Sequence, residues 1–275
     1  MGLDQTIATH YGHGALETAI LDALAAAGKP AGSLTAADLA PVDEFHIGGR
    51  RATMDLSAQI DLPRGARVLD VGSGLGGASR FFAQERGWQV EGIDLTPEYV
   101  EVAASLSRRV GLAGSVSYRQ ASAASLPFAE ASFDGAYMLH VGMNIADKPA
   151  VFAEVRRVLK PGAVFAIYDV MREADGDFRY PVPWASGPDA NFIDTADAYR
   201  RALAAAGFTV GAVRSRRDFA LEFFRQMRER LAQGGTPAPG LQIVMGATAP
   251  QKAANMMTMI EQGLFAPTEM ISRAG

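Results

Sequence analysis

Between residues 66 and 171 the sequence alternates short apolar runs with amphipathic stretches, and nothing else in the chain narrows the fold as much. ARVLDV (66–71), WQVEGID (88–94), VSYRQ (116–120), FDGAYMLHV (133–141) and AVFAIYDVM (163–171) have the length and character of strands. Helical spacing fills the gaps: Ala78, Phe81 and Phe82 follow the first run, and Val100, Ala103, Ala104 and Leu106 follow the second. Val151, Val155, Val158 and Leu159 form a helix over 148–159, which the turn Lys160-Pro161-Gly162 ends before the fifth run. Strands joined through helices form parallel sheets whose two faces are both covered. The expected fold is therefore α/β, a doubly wound and mostly parallel sheet.

The flanks are helical. Leu16, Ile20 and Leu24 make one apolar stripe through about residues 14–27, stopped by Gly28 and Pro30. After the fifth run, a loop rich in proline and aromatics (Tyr180, Pro181, Pro183, Trp184) leads to a helix over about 196–206 and a strand near 208–214. Helices are expected over about 218–233 and 241–262, separated by GGTPAPG, and Thr268–Ser272 reads as a final edge strand that brings the sheet to seven. The organisation expected is an N-terminal helical arm over 1–62, a core over 63–215 and a helical cap over 216–275 within the same domain.

Composition removes several classes of function. With no cysteine there is no disulfide, no thiolate metal site and no cysteine nucleophile. Four scattered histidines make a metal centre an unexpected feature. A net charge of -4 supplies no polybasic face, so nucleic acid is not an expected partner. The N-terminal residues have no basic and apolar signal pattern, and no apolar run reaches the roughly 18 residues that cross a bilayer. The expected setting is cytoplasmic, away from membranes.

The chemistry is concentrated in VLDVGSGLGGASRFFA and the VEGIDLTPEYV that follows it. A strand runs into Gly72-Ser73-Gly74-Leu75-Gly76-Gly77 and a helix begins, so the backbone can approach a ligand where side chains would obstruct it. Asp94 closes the next strand, the position from which a carboxylate binds ribose hydroxyls. Taken alone, this pattern suits a nicotinamide dinucleotide, S-adenosylmethionine or a glycine turn that binds nothing. Asp70, two residues before Gly72, favours a cationic ligand, because a carboxylate there repels a pyrophosphate.

VLDVGSGLGG followed by IDLT resembles the first two motifs of the class I S-adenosylmethionine-dependent methyltransferases, which have a Rossmann-like sheet. LPFAEASFDGAYMLH resembles their segment over the adenine and fourth strand, and RRVLKPGAVFAIYD their next helix, turn and fifth strand. Together these motifs cover about residues 66–170. The resemblance implies S-adenosylmethionine as cofactor. It implies that Gly72, Ser73 and Gly74 line its methionine end, that Asp70 orders the loop, that Asp94 binds the ribose and that Leu95 packs on the adenine. The adenine edge usually carries an aspartate before a small residue. Here Ser122-Ala123 stands instead, leaving the serine hydroxyl or the Ala123 amide to make that contact.

Tyr11, the run DEFHIGGRRAT (43–53) and LHVGMNIADK (139–148) further resemble the sarcosine/dimethylglycine methyltransferase group, in which an N-terminal tyrosine closes over the cofactor. A small-molecule acceptor is implied, with an amine placed first and oxygen, sulfur or carbon acceptors as alternatives. His140, at the carboxyl end of the fourth strand, is the first candidate for work at the reacting centre and for a cofactor contact; a buried histidine bonded to backbone is its plain alternative. His46 is the second, either over the cofactor or merely stabilising a turn. Asn144, Tyr168 and Trp184 are candidate acceptor contacts. A nicotinamide oxidoreductase and a non-catalytic module that binds S-adenosylmethionine are the competing readings.

Overall fold

The computed structural model describes residues 15–234 and 240–275. One sheet contains β1 (Arg67–Val71), β2 (Gln89–Asp94), β3 (Val116–Gln120), β4 (Phe133–Leu139), β5 (Leu159–Arg172), β6 (Phe208–Ser215) and β7 (Phe265–Ala274). Its order is β3-β2-β1-β4-β5-β7-β6. The first five strands pair in parallel, and β7 runs antiparallel to both β5 and β6. Strand order reverses between β1 and β4, and the crevice beyond their carboxyl ends is where sheets of this kind bind ligands.

The sheet residues alternate between two cores, as the twofold period of a strand requires. Leu69, Phe165 and Ile167 face one side, covered by α6 (Lys148–Val158) and α7 (Ala196–Ala205). Val68, Val164, Ala166 and Tyr168 face the other, covered by α3 (Gly49–Ser57) and α4 (Gly77–Phe81), which widens into a π turn over Phe82–Arg86. The N-terminal helices α1 (Leu16–Ala26) and α2 (Ala36–Asp43) pack on α5 (Pro97–Arg109). No side chain caps the start of α1. The Glu98 carboxylate of α5 accepts from Leu16 N at 3.0 Å instead, which fixes where the arm lies. A third cluster joins Val170, Trp184, Met256, Met259 and Phe265 beneath the cap helices α8 (Arg217–Ala232) and α10 (Ala249–Glu261), with the short α9 (Gly240–Met245) between them.

Three boundaries differ from expectation. β4 stops at Leu139, because His140 takes a left-handed φ of 53°. The Lys160-Pro161-Gly162 turn lies inside β5 as a bulge: Leu159 pairs with Phe133, and regular pairing resumes at Gly135 with Val164. β7 is longer than expected, and it is not an edge strand. Its Glu269 carboxylate is 1% exposed and bonded to Arg216, Arg214 at 2.5 Å and Gln59 at 2.9 Å. Supplied with its own counter-charges, Glu269 sits inside the sheet.

Candidate active site

The glycine loop forms because two successive amides, Gly72 N and Ser73 N, share the Ile93 carbonyl at 2.9 and 2.8 Å, turning the chain sharply off β1. Gly72 is required for space as well as for its φ of 77°, since a Cβ there would lie 2.4 Å from Val141. Gly74 is the opposite case: its φ is 52°, and the nearest atom to an added Cβ is 3.9 Å away on Phe45, so its face is open. Gly74 N donates to Asp94 Oδ2 and Thr96 N to Oδ1, each at 2.9 Å. Burial raises the Asp94 carboxyl while these backbone donors favour its anion. One backbone bond to each oxygen holds the group rigidly and leaves lone pairs for a vicinal diol. The Ser73 hydroxyl is buried with no hydrogen-bond partner.

The adenine-edge segment reaches the same place. Ala121 N donates to Asp94 O at 3.0 Å, which sets Ser122 and Ala123 beside the end of β2, and Gln120 Nε2 bonds Leu95 O at 3.2 Å. Asp70 lies beneath the loop and accepts from Ser79 Oγ at 2.6 Å and Tyr137 OH at 2.9 Å. Desolvation outweighs those bonds and pushes its carboxyl up to about 7. It ties β1, α4 and β4 together under the loop. An anion-clamping diol site, an open glycine face and an orphaned hydroxyl suit an adenosyl cofactor with a methionine tail.

Beyond the carboxyl end of β4 the structure brings His46, His140 and Tyr168 together. Ring centroids are 5.1 Å apart for His140–Tyr168, 5.9 Å for His46–His140 and 6.0 Å for His46–Tyr168. His140 Nε2 is buried with no hydrogen-bond partner, and burial with the adjacent His46 holds its pKa well below the usual histidine range. His46 is pushed down to about 4, chiefly by burial. Its Nε2 lies 2.9 Å from Gly49 O, so the network assigns the proton to that nitrogen, and Thr53 Oγ1 stands 3.0 Å away. Tyr168 OH donates to Ile47 O at 2.9 Å, which commits this phenol to holding the arm. Trp184 stands apart from this group. It is 3% exposed in the cap cluster, donates Nε1 to Asn191 Oδ1 at 2.8 Å and packs edge-on against Phe265. Asn144 occupies the short turn after β4, with its amide on Val141 O at 2.9 Å. Tyr11 lies outside the described residues.

Several groups that shape the site carry no sequence pattern. Arg80 and Asp43 form a fully buried pair at 2.6 Å that locks α2 onto α4 beside the loop. Glu44 binds Arg50 and accepts from Thr53 at 2.5 Å, which holds the strand of arm carrying His46. Asp169 and Lys148 are buried beside the loop after β4. Asp169 alone left a signal: it is a carboxylate inside the otherwise apolar AVFAIYDVM. Among the described residues no cluster of three acidic or histidine side chains could hold a metal, and no helix is long and apolar enough to cross a membrane.

A doubly wound sheet of this order, with a glycine loop after β1 and an acidic residue closing β2, defines the class I S-adenosylmethionine-dependent methyltransferases. Residues 69–167 of this chain match the family described as a methyltransferase domain. It is 35% identical over 132 residues to O-methyltransferase resE of Aspergillus sclerotiorum, which covers 48% of this chain and 50% of the relative. The chain spans about half the length of the curated relatives it matches. In fold it is similar to a protein assigned as a sarcosine dimethylglycine methyltransferase from Galdieria sulphuraria, with a TM-score of 0.63 at 22% identity over 82% of this chain and 85% of that one. Geranyl diphosphate C-methyltransferase from Streptomyces coelicolor A3(2) is similar over 100% of this chain and 99% of its own, at a TM-score of 0.70 and 16% identity.

Proposed function

We propose that this protein transfers the methyl group of S-adenosylmethionine to a small-molecule acceptor. The observation that carries this reading is the Asp94 carboxylate, fixed by Gly74 N and Thr96 N beside an open glycine face within a methyltransferase domain. Asp94 takes the ribose hydroxyls, Gly72, Ser73 and Gly74 line the methionine end, Leu95 packs on the adenine, and Ser122 with Ala123 meets its edge. Asp70 acts from below, as a brace for the loop. The cofactor supplies an already activated methyl group on a sulfonium, so alignment of the acceptor is the protein's main task.

An amine acceptor fits a site that keeps its nucleophile desolvated and therefore unprotonated. A specific observation favours a hydroxyl acceptor as the second reading: His140 presents a neutral imidazole whose Nε2 has no partner. In that case the oxygen lone pair forms the bond to the methyl carbon, the carbon–sulfur pair stays on sulfur, and His140 takes the hydroxyl proton. One positive charge is present before and after the step, so the low-dielectric site never holds two. His46 positions the arm over this centre, and Asn144 reaches the acceptor from the turn after β4.

Calorimetric titration with S-adenosylmethionine, S-adenosylhomocysteine and NADH, run in parallel, tests the reading. Binding of the two sulfur ligands alone supports it and opens a screen of amines, phenols and thiols for methyl acceptance. Binding of NADH alone sinks it.

A further inference from the structure

We propose that Asp169 is the positioning residue for His140, holding the loop after β4 so that the imidazole stays against His46 and Tyr168 with its Nε2 buried and unbonded. This rests on the reading of His140 as the group at the acceptor. The first observation is strain. His140 takes a φ of 53°, a left-handed conformation that a residue with a Cβ disfavours, so something must hold it there.

The bonds that hold it come from β5. His140 N donates to Tyr168 O at 2.7 Å, and two residues on, Gly142 N donates to Asp169 Oδ2 at 2.7 Å. Asp169 Oδ1 accepts Val170 N at 2.8 Å, and Tyr199 OH of α7 donates to Oδ2 at 3.0 Å. A Cβ at Gly142 would lie 2.2 Å from the Tyr199 oxygen and 2.4 Å from Asp169 Oδ2. Glycine is needed there to let the backbone close on the carboxylate.

The carboxylate is 0% exposed and has no ion-pair partner among the described residues. Burying an unpaired anion is costly, and three donors offset only part of that cost. The nearby cation, Lys148, is spent elsewhere: its Nζ donates to Ile145 O at 2.9 Å and Phe192 O at 2.6 Å, closing the far end of the same loop onto the segment before α7. The loop is therefore gripped at Gly142 by an anion and at Ile145 by a cation, with His140 cantilevered from the first grip. His46 and Tyr168 are the titratable groups packed against the imidazole, and Asp169 and Lys148, with Asp194 beyond, are the charges around the loop.

The test needs no acceptor. With four histidines in the chain, long-range nitrogen–proton spectra of histidine-labelled full-length protein resolve His140, assigned through His140→Gln. In the unaltered protein its ring titrates well below the ordinary histidine range, as burial dictates. In Asp169→Asn the ring nitrogen signals move, and the ring titrates toward the ordinary value of about 6.5 as the loop is released. Tyr199→Phe, which leaves the Gly142 bond in place, produces a smaller change in the same direction. A core variant of comparable cost, Val155→Ala, leaves the His140 signals where they were. Unchanged His140 signals and titration in folded Asp169→Asn overturn the proposal. Should that variant fail to fold, Tyr199→Phe decides: a shifted His140 supports the proposal, and an unmoved one overturns it. S-adenosylmethionine affinity, measured alongside, changes less than about threefold in Tyr199→Phe. Its absence in the unaltered protein removes the methyltransferase reading without touching the His140 result.

Discussion

The two halves of the site are built on different principles. On the cofactor side, backbone amides do the positioning: Gly72, Ser73, Gly74 and Thr96 place the loop and the Asp94 carboxylate through main-chain bonds of 2.8–2.9 Å. On the acceptor side, position comes from buried side chains contributed by distant segments, with Tyr168 holding Ile47, Asp169 holding Gly142 and Lys148 holding Phe192. A main-chain scaffold tolerates change in the surrounding side chains. A side-chain scaffold lets a relative keep its cofactor while its acceptor pocket is rebuilt.

The comparison breaks if cap and loop variants have the same consequences. Trp184→Ala, which empties a 3%-exposed site in the cap cluster, is expected to cost about 3–5 kcal/mol in denaturant unfolding. Its S-adenosylmethionine affinity, where the protein remains folded, should stay within about threefold. Asp94→Ala is the mirror image: a loss of affinity of roughly 100- to 1000-fold by calorimetry, from two charge-assisted bonds, with the melting temperature held or raised. Wild-type affinity in Asp94→Ala removes the diol clamp from the argument.

A smaller effect sharpens the picture through pH. The buried carboxyls of Asp70 and Asp169 are raised to about 7 and about 6. The folded protein therefore binds protons that the unfolded chain has released, and these groups lower stability as pH rises through about 4 to 7. His46, depressed to about 4, and His140, held well below the usual histidine range, act in the opposite sense: in the unfolded chain they release protons around pH 6.5, so they add stability as pH rises through about 6 to 7.5. Between about pH 6 and 8 these contributions largely offset one another, and the Asp70 share is read by difference: stability in Asp70→Asn rises by about 1.4 kcal/mol more over that window than in the unaltered protein. Identical pH profiles in the two proteins contradict the burial of that charge. Smallest of all, Met54→Gln on the 53%-exposed face of α3 should change stability by less than about 0.5 kcal/mol and affinity not at all.

Legibility in the sequence follows the same division. The five parallel strands were readable because Leu69, Ile93 and Phe165 sit in apolar runs buried on both faces, and the loop because Gly72-Ser73-Gly74 and Asp94 occupy a spacing fixed by backbone geometry. His140 was readable as a residue at a strand end, but not as a left-handed one. Its conformation depends on Asp169 and Gly142, whose meeting is a matter of tertiary placement. Trp184 read as a candidate acceptor contact because it lies in a long loop after the fifth strand; Asn191 and Phe265, which bury it, lie farther along the chain. The last strand was not readable as an interior one, because Arg214, Arg216 and Gln59 are invisible as partners of Glu269 until the chain is folded.

The placement of β7 between β5 and β6 has a consequence for biosynthesis. As the chain leaves the ribosome, β6 and the cap helices emerge before the strand that links them to the sheet. Until then β5 has an open edge along Val164–Arg172, apolar and rich in β-branched and aromatic residues, which is the kind of surface that captures other nascent chains. The bonds from Glu269 to Arg214 and Arg216 form only when β7 slides in. That insertion is therefore the step at which slow or crowded synthesis would divert molecules toward aggregation.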